Sequence, residues 1–113
     1  MGRLLQIRVS AWTFSEDEVR KSWPSLWKLA WQDSDAIPKK GVLELAKAVF
    51  DAVRAGLIPK DKADKLRAKA DEAEDLRFEI EGALAARDPK GADRLSYQLE
   101  DRLDELEDIA VNF

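Results

Sequence analysis

Residues 70–110 read ADEAEDLRFEIEGALAARDPKGADRLSYQLEDRLDELEDIA, and the fold turns on this stretch. Asp88-Pro89-Lys90-Gly91 is a turn signal with a helical pattern on either side. With the turn centred between Pro89 and Lys90, facing residues carry numbers that sum to about 179 in an antiparallel pair. Leu84 then faces Leu95, Ile80 faces Leu99, Leu76 faces Leu103, Ala73 faces Leu106 and Ala70 faces Ile109. Both members of every pair are apolar, and each helix keeps its steps of threes and fours. That is the pattern of an antiparallel αα-hairpin with coiled-coil-like packing.

Working outward, the first helix of the hairpin is predicted over 60–87 and the second over 92–110. The first is the longer, roughly 40 Å at 1.5 Å per residue. Its opening third, 60–69, holds five basic and two acidic residues and lies beyond the reach of its partner. That third must pack on other helices or on a second protein. Leu57-Ile58-Pro59 is a tight connection. Before it, 40–55 is predicted as a central helix, with Gly56 as the glycine beyond its C-terminus. Val42, Leu45, Ala46, Val49, Phe50 and Val53 spread over an arc wide enough to touch two neighbours.

Ser15-Glu16-Asp17-Glu18 is a capping-box signature that starts a helix over 16–32. Pro24 interrupts it with a kink or a break, and Ser22 is then available to cap a second short helix. Residues 33–38 are read as a loop. In the segment 4–11, Leu5, Ile7, Val9 and Ala11 alternate with Gln6, Arg8 and Ser10, which predicts one strand. The tail from Ile109 to Phe113 is the one other, weaker, strand candidate. A lone strand has unpaired backbone groups on both edges. It pairs with its copy in a second chain or lies as an extended arm on the helices.

The chain has 113 residues, enough for one compact domain over 1–113. Neither Cys nor His is present, which removes disulfides, thiol catalysis, His-based acid/base chemistry and zinc-finger sites. Net charge is −4, and the acidic excess sits in 92–113, with seven acidic and two basic residues. Nucleic-acid binding needs a basic field, so that class is set aside. Gln6 and Arg8 interrupt the only apolar run near the start, so no signal peptide is read there and the expected compartment is cytoplasmic. No Gly-rich phosphate loop occurs. Ser25-Leu26-Trp27-Lys28 fits S-x-x-K, but the companion motifs of that chemistry are missing.

Three constellations carry functional weight. Glu72/Asp75 and Glu105/Asp108 are two E-x-x-D spacings at the same level of the hairpin. The pair resembles the metal-binding pattern of the all-α nucleotide pyrophosphohydrolases, the MazG-like family. That resemblance implies a magnesium site at Glu72, Asp75, Glu105 and Asp108 and hydrolysis of nucleotides. Helical geometry, however, turns Glu105 and Asp108 away from the face of Leu103, Leu106 and Ala110, so a solvated charged face is the preferred reading. Second, Arg77 falls inside the apolar stripe of its helix with Glu74 and Glu81 at helical spacing. The register places Arg102 opposite and Glu100 nearby, which predicts one ion-paired cluster. Third, all four Trp lie within 12–31, with Trp23, Trp27 and Trp31 four residues apart and Arg20, Lys21 and Lys28 close by. Core packing is favoured over a membrane-surface helix. Along one continuous helix, though, Trp27 and Trp31 rotate off the face of Val19 and Leu26, which predicts an exposed Trp.

The sequence thus describes a mainly α bundle with a long αα-hairpin over about 60–110 and one short N-terminal strand. Its expected role is protein–protein interaction, without catalysis or cofactor, as a homodimer or with a different protein. The contact residues expected are Ile7, Val9, Trp12, Trp27 and Trp31. The alternatives are the magnesium-dependent pyrophosphohydrolase and a membrane-surface binder.

Overall fold

The computed structural model describes residues 4–7, 11–13, 15–31, 41–56 and 58–113. Among them the protein is mainly helical. Strands β1 (Leu5–Ile7) and β2 (Ala11–Thr13) are followed by helices α1 (Glu16–Ser22), α2 (Pro24–Trp31), α3 (Val42–Arg54), α4 (Lys60–Ala85) and α5 (Pro89–Ala110).

The two long helices form the hairpin, and α4 packs on both α5 and α3. Ile80, Leu99, Ala73, Leu106, Ala70 and Leu103 are buried, and Leu84, Leu95 and Ile109 pack against the same core. The turn between the helices is tighter than the sequence suggested. Pro89 to Gly91 belong to the first turn of α5, because the Asp88 carboxylate accepts from Gly91 N at 3.0 Å and Pro89 needs no amide partner there. The reversal falls on Ala86 and Arg87, the latter at φ 57°. The tail is no strand either: Ile109 and Ala110 close α5.

The segment 16–32 divides at Trp23. The residue before a proline is pushed out of the helical region, and Trp23 sits at φ −132°, ψ 61° between α1 and α2. Ser15 caps α1 by accepting from Glu18 N at 3.3 Å. Helix α3 ends at Arg54 with Ala55 as its C-cap, and Gly56 follows with φ 71°, a conformation that favours glycine. At the other end of α3, Thr13 Oγ1 accepts from Val42 N at 2.9 Å. A side chain at Gly41 would collide with that hydroxyl and with Glu44. So β2 reaches α3 through a close approach that only glycine permits.

One continuous strand over 4–11 is not what forms. Two three-residue strands fold onto each other instead, antiparallel, with Leu5 opposite Thr13, Gln6 opposite Trp12 and Ile7 opposite Ala11. The outward amides of Leu4 and Leu5 are taken by the Glu100 carboxylate on α5, at 2.9 and 2.8 Å. The strand therefore finds partners within its own chain, in β2 and in the Glu100 carboxylate. Leu4 and Leu5 are themselves buried in the core beside α5.

Candidate functional site

Helix α5 is acidic, yet three of its carboxylates point inward, along the face that meets the N-terminal elements. Glu100 is only 3% exposed and holds β1 as described. One turn on, Asp104 Oδ1 accepts from the Trp23 indole Nε1 at 2.8 Å. Next along the same face, Glu107 Oε1 accepts from Ser25 N at 3.0 Å and Leu26 N at 3.1 Å. These are free amides of the first turn of α2, where a carboxylate is favoured by both hydrogen bonding and the helix dipole. The cap of α2 thus comes from Glu107, 81 positions away from Leu26, rather than from Ser22. The spacing of the three carboxylates puts them within a narrow arc of the helix.

The acidic motifs on the outer side behave differently. Glu72 and Glu105 do meet across α4 and α5, but over two cations. Lys69 Nζ lies 3.0 Å from Glu105 and 3.5 Å from Glu72, while Arg102 lies 2.8 Å from Glu105 and 3.5 Å from Glu72. The result is a closed ring of four alternating charges. Lys69 and, with it, Arg102 hold the Glu105 carboxyl below its ordinary value, and Glu105 in turn raises Lys69. Asp75 and Asp108 stay exposed, away from the ring. Among the described residues no group of three or more Asp or Glu side chains converges on a point. The carboxylates that a divalent ion would need are faced instead by a lysine and an arginine.

Arg77 is buried in α4 and bonds to Glu74 and, at 2.8 Å, to Glu81. Glu74 raises its pKa further, against the opposing effect of burial. The pairing of Arg77 with Glu74 and Glu81 is the one expected from their spacing, but Arg102 is not part of it. Arg102 goes to the charge ring and Glu100 to β1, because these two residues lie on different sides of α5, one toward α4 and the other toward the strands. The Arg77 guanidinium also stands 4.6 Å from the ring of Phe78.

Of the expected contact residues, Val9 lies outside the described residues, and only the backbone of Ile7 and Trp12 is described. Trp27 and Trp31 are 7% and 5% exposed, so the exposed Trp is not found at either. Their rings pack edge to face at 4.8 Å and 87°. The break at Trp23 gives α2 its own axis, so a rotation counted from Val19 does not carry across it. Among the described residues, the large apolar side chains that do stand in solvent are Phe78 at 59%, Tyr97 at 53% and Val111 at 64%.

No family model, no curated protein and no solved structure matches the chain. No helix among the described residues is long and apolar enough to cross a membrane.

Proposed function

We propose that this protein is a non-catalytic helical interaction module that self-associates through the outer surface of its long hairpin. The observation that carries the reading is the exposure of Phe78 on α4 and Tyr97 on α5, each more than half in solvent, in a chain that buries three of its Trp. Phe, Tyr and Arg are the residue types concentrated at the centres of protein interfaces. The Arg77 guanidinium against Phe78 adds a cation to that aromatic surface.

The test is molar mass by light scattering across a concentration series, for the parent chain and for Phe78→Ser and Tyr97→Ser. Both positions are exposed, so these variants retain the fold. The reading expects a dimer for the parent and a weakened one for each variant, by about tenfold or more in dissociation constant per contact residue. A parent that stays monomeric throughout, or variants that dimerise as the parent does, overturns it.

A further inference from the structure

At the end of the bundle away from the hairpin turn, α2, the start of α4 and the end of α5 enclose an open cleft of about 360 Å³. At ~30 Å³ per water-sized group, that space takes roughly a dozen non-hydrogen atoms, and it falls within the range of small-ligand sites. Leu29, Ile58, Val111 and Phe113 give it an apolar lining, and Lys28 and Lys62 bring two ammonium groups to it. Neither lysine has a carboxylate partner among the described residues. The Lys62 ammonium instead stands 5.3 Å from the Phe113 ring centre. Beside the cleft, the Glu107 carboxylate has its charge directed at the amides of Ser25 and Leu26.

Two ammonium groups with no ion-paired carboxylate among the described residues stand at this cleft, in a chain of net charge −4. We infer that the cleft binds a small amphipathic carboxylate: an aliphatic tail of about eight carbons against Leu29, Ile58 and Phe113, and an anionic head between Lys28 and Lys62. The apolar lining removes the tail from water, and the two ammonium groups select a carboxylate over a neutral head. This site lies on other residues than the proposed self-association surface, and it stands or falls separately from it.

Titration of the full chain with sodium octanoate, followed by amide chemical shifts, tests the assignment. The expected result is saturable shifts centred on 25–29, 58–62 and 110–113. Octanol, with the same tail and no charge, should bind about tenfold more weakly. Lys28→Gln with Lys62→Gln should weaken octanoate by a similar factor and leave octanol unchanged. Val111→Trp, at an exposed position on the rim, should block both ligands. The inference is overturned by an absence of saturable shifts, or by equal affinity for octanoate and octanol. It is equally overturned if the shifts spread through the buried Trp residues, which marks loosening of the fold by a detergent-like ligand.

Discussion

Glu100 shows how much one side chain can decide. It is a carboxylate inside the core, kept there by the amides of Leu4 and Leu5, at 2.9 and 2.8 Å. Hydrogen bonds to a charged group contribute more than neutral ones, and losing the acceptor leaves buried amides without a partner. Glu100→Ala is therefore expected to cost about 2–4 kcal/mol, measured as a lower midpoint in urea denaturation. Glu100→Gln keeps an acceptor and should cost less. A midpoint unchanged in both variants would mean that the strand is not held through this residue. Nothing in the local sequence distinguishes Glu100 from its neighbours Asp101 and Glu105. Its partners lie 95 and 96 positions away, and a charge on an amphipathic helix reads as outward-facing until the third element that covers it is known. Asp104 and Glu107 were illegible for the same reason.

Among the elements, the hairpin of α4 and α5 was readable because its evidence is redundant. Five apolar pairs share one register, and no single one is needed. Its exact turn was not readable, since Asp88-Pro89 serves equally as the middle of a turn and as the cap and first residue of a helix. The strands were half readable: alternation marks extended chain, but it does not say where three residues end and a reversal begins. The acidic spacings identified real proximity between Glu72 and Glu105, yet the motif has no place for the lysine and arginine that share the site. That charge ring predicts a pH response. Glu105 is depressed below 4.5 by Lys69 first and by Arg102 as well, so its stabilising contribution is present above 4.5 and disappears as pH falls through the lowered folded value. Lys69 is raised above 10.5, chiefly by Glu105, so its contribution is present below 10.5 and lost as pH climbs through the raised value. The difference in melting temperature between the parent and Glu105→Gln should accordingly be constant near neutrality and close at both extremes. A difference that persists at pH 2 would assign it to packing rather than charge. The ring is solvent-accessible, so the difference should also shrink with added salt.

At the scale of the molecule, the start of the N-terminal hairpin is part of the core. Leu4 and Leu5 are buried in the same cluster as Trp23, Leu99 and Leu103, and β2 supplies the hydroxyl that caps α3. A chain lacking residues 1–11 exposes the surfaces those leucines covered and strands the Glu100 carboxylate. Returning two leucines to water alone costs roughly 3–6 kcal/mol at ~1.5–3 kcal/mol each, a large share of the ~5–15 kcal/mol by which a domain is stable. The truncated chain should therefore show a much lower urea midpoint, and tryptophan emission shifted toward the red as α2 loses its seat against α5. Self-association enters separately. If strand pairing between copies held a dimer together, truncation would yield a folded monomer with the parent's midpoint. If the outer hairpin surface holds it, the fraction that remains folded still dimerises, and Phe78→Ser in the full chain lowers the molar mass while leaving the midpoint in place. Measuring midpoint and molar mass on the same two samples separates the two architectures, because the midpoint reports what the strands contribute to stability and the molar mass reports whether association depends on the exposed aromatics.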